Sequence, residues 1–364
     1  PGWHGGAGDH VTAAFKPHSM IPDALVDTDG GIRWRWTETR DGFMLGETMP
    51  TPDNTGVPAG TVLEDVTGDV TVSTDDTVYV GKRFHGKVTV RANLVRFYRC
   101  EFLGGTPSSD LKVQTCGLDT NHGGTKVATL ISECTFVPTV KQVNITGIIG
   151  SNVTTHRCKI MDGWTDALNW QATTTGTAPG SCHSLGDYLS PMGHPEDPTQ
   201  PRFTGDTVGG SSHSDCIQIA NGRGHTVFGS HLAAVVGDSY SHGMVWSPYA
   251  KGAIGGGSVI KSWFSGGGAQ LSAWPNGTSD QAPVIPGLKI IGNRFDARGT
   301  LNDLSGGVYR PQSILLTPET FMAATIRDNL QTYPCTPASG TPFGASATPE
   351  KPTKAYVYVT KLNW

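Results

Sequence analysis

The sequence predicts an all-β chain wound into a right-handed parallel β-helix, a solenoid of roughly eight coils, and three observations predict it. Short runs rich in Val, Ile and Thr are bounded by Gly, Asn and Asp, the pattern of strands separated by turns. A polar turn position recurs along the chain, with a large apolar residue two places after it. Helical periodicity is nearly absent. The hand follows from the rule that parallel crossovers within a sheet are right-handed.

The repeat is read from three clear copies. They are Val95 to Phe102, Leu130 to Phe136 and Val153 to Ile160, each an apolar strand, a Cys, any residue, then Phe or Ile. Fainter copies place Ser230 before Leu232, Ser262 before Phe264, Asn293 before Phe295 and Asp328 before Leu330. The polar position thus falls at 100, 134, 158, 230, 262, 293 and 328, in steps of 34, 24, 72, 32, 31 and 35. Units of this size cannot bury an apolar face alone and must stack. The 72-residue step has room for at least one further coil and a long insertion. Coils about 4.8 Å apart would bring Cys100, Cys134 and Cys158 together along an interior ladder. In-register side chains aim the same way, so free buried thiols are expected there. Seven Cys is an odd number, and Cys182 and Cys335 fall in loop-like sequence that assigns them no role.

A second register aligns Asp166 to Trp170, Asp215 to Ile219, His242 to Trp246 and Gly267 to Leu271 as a turn followed by an alternating strand. Alternation points Leu168, Ile217, Met244 and Ala269 inward, with Trp170, Ile219, Trp246 and Leu271. It points Asn169, Gln218, Val245 and Gln270 outward as one column.

Residues 1–50 lack the repeat and carry the aromatic-basic run Ile32-Arg33-Trp34-Arg35-Trp36-Thr37, which reads as a cap or attachment segment. The β-helix is assigned to 51–332, with coils from 61 after a turn-rich stretch and an interruption rich in Gly, Pro, Ser and Thr at 171–212. Residues 333–364 form a tail ending in a closing strand over 355–360.

Length and charge agree with one elongated domain: 364 residues, 48 Gly, 24 Pro and only 16% charged side chains. A formal charge of -4 offers no broad basic surface for nucleic acid and no patch for anionic lipid. No stretch approaches the ~18 apolar residues of a membrane span, so membrane insertion is not expected. No segment reads as a signal peptide, although a removed signal and loss of an initiator Met both fit Pro1-Gly2. Neutral partners such as glycans fit this surface best.

Pro52-Asp53-Asn54-Thr55-Gly56-Val57-Pro58-Ala59-Gly60-Thr61-Val62-Leu63, followed by Gly68 to Val72 and by Val95 to Phe102, resembles a recurring opening. It is similar to the first coils of right-handed β-helix proteins of actinobacteria and of the tails of their phages, minor tail proteins among them. The close likeness spans 52–102; the rest matches in repeat style only. His213-Ser214-Asp215-Cys216-Ile217-Gln218 also resembles the His-x-Asp-Gly-Ile-Gln stretch of pectate-lyase-like β-helices, with Cys216 where the Gly would stand.

Asp166 and Asp215 fall at equivalent places on what the alignment makes neighbouring coils, roughly 5 to 10 Å apart. Two carboxyls at that range can serve glycoside hydrolysis, one giving a proton while the other attacks or activates water. The pair would also suit Ca2+ serving a lyase; no other cofactor is expected. The simpler reading is that Asp before a small residue makes the turn that starts a strand. His213 aligns with Trp164 and Tyr240, and His242 aligns with the carboxylates, so His213 is a third catalytic candidate as acid or base. Trp164, Tyr240 and His242 beside Asn169, Gln218 and Gln270 would suit sugar rings, which offer an apolar face and a rim of hydroxyls.

The resemblance implies a phage minor tail protein in the virion tail, working as a homotrimer with other tail proteins. It would contact cell-envelope polysaccharide of an actinobacterial host, with or without cutting it. A secreted polysaccharide lyase or glycoside hydrolase, and a purely structural tail fibre, are the alternatives.

Overall fold

The computed structural model describes residues 23–26, 32–35, 43, 45–104, 115–120, 128–139, 145–161, 165–171, 181–190, 214–234, 241–246, 255–266, 269–273, 285–296, 312–316, 318–331 and 357–358. Three sheets wrap one apolar interior, and the chain visits them in the same order in every coil. The first sheet has ten strands, from Glu64–Val66 to Leu330–Gln331. The second runs from Val70–Val72 to Gln312–Leu316 and is closed by the antiparallel strand Val357–Tyr358. The third has nine strands, from Val78–Val80 to Thr325–Arg327. All other pairings in these sheets are parallel and join successive coils, which makes the molecule a right-handed parallel β-helix. Asp23–Val26 and Ile32–Arg35 form a separate antiparallel pair, so the aromatic-basic run is a strand over its first four residues.

The turn from third sheet to first is a single residue in the left-handed region. Arg99, Glu133, Arg157, Lys261 and Asp328 hold φ between 47° and 57° there, and Gly81, Gly186, Gly229 and Gly292 fill the same place. The residue after this turn forms the interior ladder. Each side chain on it receives the backbone N–H of the previous coil, a donor that the turn removes from strand pairing. Cys100 N–H donates to Cys134 Sγ at 3.2 Å, Cys158 N–H to Asp187 Oδ1 at 2.7 Å, and Ser262 N–H to Asn293 Oδ1 at 2.9 Å. Asn293 N–H reaches Asn329 Oδ1 at 3.0 Å. The last ladder residue is therefore Asn329; Asp328 occupies the left-handed turn, one place before the position the repeat gave it.

Two residues past the ladder lies the core stack of Phe84, Phe102, Phe136, Ile160, Leu189, Leu232, Phe264 and Phe295, all buried. Phe102 and Phe136 lie nearly parallel with centroids 4.3 Å apart. Cys100, Cys134 and Cys158 are free and buried, as expected of in-register ladder side chains, and Cys116, Cys182 and Cys216 are free and buried as well.

The structure has more coils than the roughly eight expected, because two features escape the repeat as read from sequence. The opening coils are minimal, with pairs such as Lys82 and Glu64 separated by 18 residues. Gly68-Asp69-Val70-Thr71-Val72 stacks under Gly86-Lys87-Val88-Thr89-Val90. The 171–212 stretch also contributes strands, His183–Leu185 and Tyr188–Ser190, with Asp187 as their ladder residue.

The opening coils also match in charge. Residues 61–80 contain five acidic and no basic side chains, and 81–98 contain five Lys or Arg and no acidic ones. Lys82 pairs with Glu64, Arg83 with Asp65 at 3.7 Å, and Arg96 with Asp76 at 3.8 Å.

Residue 43 and residues 45–57 run along the outside of the left-handed turns as a strap. Val57 N–H donates to Thr135 Oγ1 at 2.9 Å, Arg157 to Asn54 O at 3.0 Å, Lys159 to Pro52 O at 3.2 Å and His231 to Pro50 O at 3.0 Å. Glu47 pairs with Lys261, and the Arg157 guanidinium lies 4.5 Å from the Phe43 ring centroid. This explains why two of the turns are glycine. A Cβ on Gly186 would stand 2.6 Å from Leu45 Cδ2, and one on Gly229 would stand 2.4 Å from Gly46 N.

Candidate functional site

Asp166, Asn169, Asp215, Gln218 and His242, five of the residues singled out from sequence, meet on the outer side of the second sheet. Asp166–Trp170 pairs in parallel with Asp215–Ile219, which pairs with His242–Trp246. The register sets Asp166 beside Asp215 and Asp215 beside His242. Leu168 and Trp170 belong to the apolar interior, with Ile217, Ile219, Met244 and Trp246. Asp166 and Asn169 share the opposite side, and Asn169 Nδ2 donates to Asp166 Oδ2 at 3.1 Å.

The strand breaks its alternation at Ala167, where ladder pairing skips both Ala167 and Cys216. Both side chains turn into the core. At this level the column needs small residues: a Cβ on Gly147 would lie 2.6 Å from Ala167 O, and one on Gly243 2.4 Å from Gln270 O. Cys216 is accommodated by pointing inward, where its Sγ donates to Leu189 O at 3.3 Å. Burial pushes its thiol well above the usual range, with Asp215 and Asp166 adding to the effect. It is a packed hydrophobe, not a nucleophile.

Outside, one connected network spans three coils. Asn169 Nδ2 also donates to Gln218 Oε1 at 2.6 Å, and Gln171 Nε2 donates to Asn169 Oδ1 at 2.8 Å. Asp166 Oδ1 accepts the backbone N–H of Asp215 at 3.3 Å. Asp215 Oδ1 accepts the backbone N–H of His242 at 3.1 Å and contacts its ring Nδ1 at 2.8 Å. A carboxylate oxygen only accepts, so the ring proton sits on Nδ1. Each carboxylate thus caps the strand start of the following coil, which is what the turn reading of Asp166 and Asp215 predicts.

The column is covered. Asp166 is 4% exposed, Asn169 2%, Asp215 0%, Gln218 3% and His242 5%. Alternation predicts the side of the sheet but not this cover, because a strand pattern says nothing about what lies over its outer face.

Gln270 does not join the column. Met244 pairs with Leu271 and Val245 with Ser272, so Ser272 takes the outer position and Gln270 falls opposite Gly243. Gln270 Nε2 approaches Phe264 O at 3.5 Å, the limit of a hydrogen bond. The two consecutive glycines at Gly267 and Gly268 offered no side chain to fix the alignment, which is why the sequence register is two residues off. Ser272 and Gln171 were both legible as alternation partners of an outward residue once the register is known. Trp164, His213 and Tyr240 lie outside the described residues.

Among the described residues no group of three or more His, Cys, Asp or Glu is arranged to hold a metal ion. No helix among them is long and apolar enough to cross a membrane. No family model, curated protein or solved structure matches the chain.

Proposed function

We propose that this chain is a minor tail protein of an actinobacterial phage, a homotrimer in the virion tail that contacts host cell-envelope glycan together with other tail proteins. The observation that carries the reading is the outer column of Asp166, Asn169, Gln171, Gln218 and His242. It mixes amide donors with carboxylate acceptors in a single register, the chemistry that pairs with sugar hydroxyls. The likeness of the 52–102 opening to β-helix tail proteins supports the setting.

The hydrogen bonds favour holding over cutting. Both carboxylates already accept backbone N–H groups of the next coil. Hydrolysis needs one carboxyl protonated and the other directed at the sugar or at water. A sugar reaches the column only where its cover yields, so association is expected to be slow, below about 10⁵ per molar per second.

A secreted polysaccharide lyase or hydrolase is the second reading. It is favoured by the 2.8 Å contact between Asp215 and His242, since a carboxylate that holds Nδ1–H orients an imidazole for proton transfer.

Envelope polysaccharides from a panel of actinobacteria, immobilised beside unrelated glycans, test the proposal when combined with a solution mass. A trimer retained on some actinobacterial envelopes is the expected result. A monomer that binds them no better than the unrelated glycans removes the proposal.

A further inference from the structure

Among the described residues Glu64–Val66, Val70–Val72 and Val78–Val80 are the outermost strands of the three sheets, and each is paired on one side only. The apolar interior is open at the same end. Val66, Val70 and Tyr79 close it and are half-buried, whereas Phe84, Val88 and Phe97, one coil further in, are fully buried. Val62 and Val80 beside them are 89% and 45% exposed. Residues 61–80 contain no Pro and no Lys, the residues that commonly blunt a sheet edge. Three one-sided strands around an unfinished core are the features by which one coil receives the next.

The charge of this coil says what can continue it. Lys82 pairs with Glu64, Arg83 and His85 with Asp65, and Arg96 with Asp76, yet those three acids remain 72%, 57% and 56% exposed. Asp69 and Asp75 each use one oxygen, Oδ1, to accept the Lys87 and Asn93 N–H groups at 2.8 and 2.7 Å. The chain thus carries its own example of a complement, an 18-residue coil that sets Lys82 and Arg83 over Glu64 and Asp65 in register. A second copy fits poorly from either direction. End to end, it would set five carboxylates against five. Head to tail, it would offer Thr325–Arg327 and Leu330–Gln331, where Arg327 lies 3.8 Å from Asp328 and leaves no net charge. The second sheet at that end is also closed by the antiparallel strand Val357–Tyr358.

We infer that the 61–80 end is a docking edge for a different protein, one that adds a coil or strand bearing Lys and Arg where Lys82, Arg83 and Arg96 stand on the other side. Main-chain pairing along the three strands supplies the attachment, and Val66, Val70 and Tyr79 supply apolar contact. The acids select a basic partner over an acidic or a neutral one. This deepens the part of the proposed function that gives the chain protein partners, and rests on that reading only for the partner's source. Three strands of the second sheet stand between Val70–Val72 and Asp166–Trp170, so the edge shares no residue with the column of Asp166 and His242. Docking and glycan contact therefore fail separately.

The probe is a synthetic peptide with the sequence of residues 81–98, whose corners and charges already fit this coil from its other side, mixed with the whole chain and no glycan. Two controls are a peptide of residues 61–80 and a copy of 81–98 with every Lys and Arg replaced by Gln. The basic peptide is expected to slow amide exchange in 63–80 about tenfold once the edge is about nine-tenths occupied, with 257–265 unchanged. Neither control should do so. In the triple variant Glu64→Gln, Asp65→Asn, Asp76→Asn the affinity should fall about tenfold. Should that variant lose its first coil, raising the salt from about 50 to about 500 mM replaces it and should weaken the peptide similarly. No slowing in 63–80, or equal slowing by either control, overturns the inference. Self-association that protects 63–80 without any peptide also overturns it, because a second copy is then the occupant.

Discussion

Asp215 accepts both the backbone N–H and the ring Nδ1–H of His242, the residue directly above it in the parallel register, through one oxygen at 3.1 and 2.8 Å. The contact is at once a cap and an orienting bond, and its two roles respond differently to substitution. Asp215→Asn keeps an acceptor for the backbone amide and is expected to cost about 1 kcal/mol in denaturant unfolding. Asp215→Ala leaves two buried donors without that acceptor and is expected to cost about 3 kcal/mol. Equal losses in the two variants would mean that the acceptor matters little.

The strap makes a graded prediction about three glycines that share the left-handed turn. Gly292→Ala meets Lys261 Cγ at 3.5 Å, an ordinary contact, and should cost only the conformational term of about 1 kcal/mol. Gly186→Ala meets the movable tip of Leu45 and should cost somewhat more. Gly229→Ala meets the backbone of Gly46 and should cost the most, about 3 kcal/mol, while exposing 43–57 to limited proteolysis. Melting temperatures in that order, with faster nicking in Gly229→Ala alone, are the expected pattern.

His225 predicts an acid limb of the stability profile. Its Nδ1 accepts Cys182 N–H at 3.1 Å, its Nε2–H donates to Asn221 O at 3.0 Å, and its ring stacks on Trp170. Burial lowers it from 6.5 to about 4, against the contrary pull of Asn221 O. The neutral ring is the favoured folded form, so its contribution is complete above 6.5 and is lost as pH falls toward 4. The loss is on the order of 3 kcal/mol. Burial raises the Asp187 carboxyl from 3.8 to about 6, which gives the opposite slope over an overlapping range. Unfolding free energies measured from pH 3.5 to 7.5 should steepen on the acid side in Asp187→Asn, where the His225 slope, joined by that of His156, which burial lowers to about 3, is no longer offset by Asp187.

The thiols should be silent. Burial pushes Cys116 and Cys182 up to about 12 and Cys134 and Cys158 well above the usual range, so little thiolate exists at neutral pH. Alkylation followed by peptide mapping should leave Cys116, Cys134, Cys158, Cys182 and Cys216 unmodified in the native protein and fully modified after denaturation.

Much of the fold was legible because a solenoid writes its register into sequence. Cys100, Cys134 and Cys158, each followed by Phe or Ile two places later, fix three coils that need no tertiary information. Where coils carry long excursions the spacing ceases to be periodic, and Gly186-Asp187-Tyr188-Leu189 is the same turn and core step inside a 72-residue interval. The 18-residue opening was equally visible in Gly-Asp-Val-Thr-Val and Gly-Lys-Val-Thr-Val, but its ladder position holds Lys82 instead of a small polar residue. The neighbours Asp166, Asp215 and His242 followed from alignment alone. Their burial did not, nor did the strap, because contacts such as His231 with Pro50 join residues 181 apart that share no pattern.

Whether the column holds glycan is tested most directly by binding and product analysis on the same envelope polysaccharide. The wild-type chain is expected to bind without releasing new reducing or unsaturated ends. Asn169→Ala with Gln218→Ala, checked for an unchanged β spectrum, should weaken binding at least about tenfold, as loss of two hydrogen-bonding amides implies. Binding unaffected by the double variant would contradict the assignment of this face, and new chain ends that vanish in Asp215→Asn would show that the column cuts what it contacts.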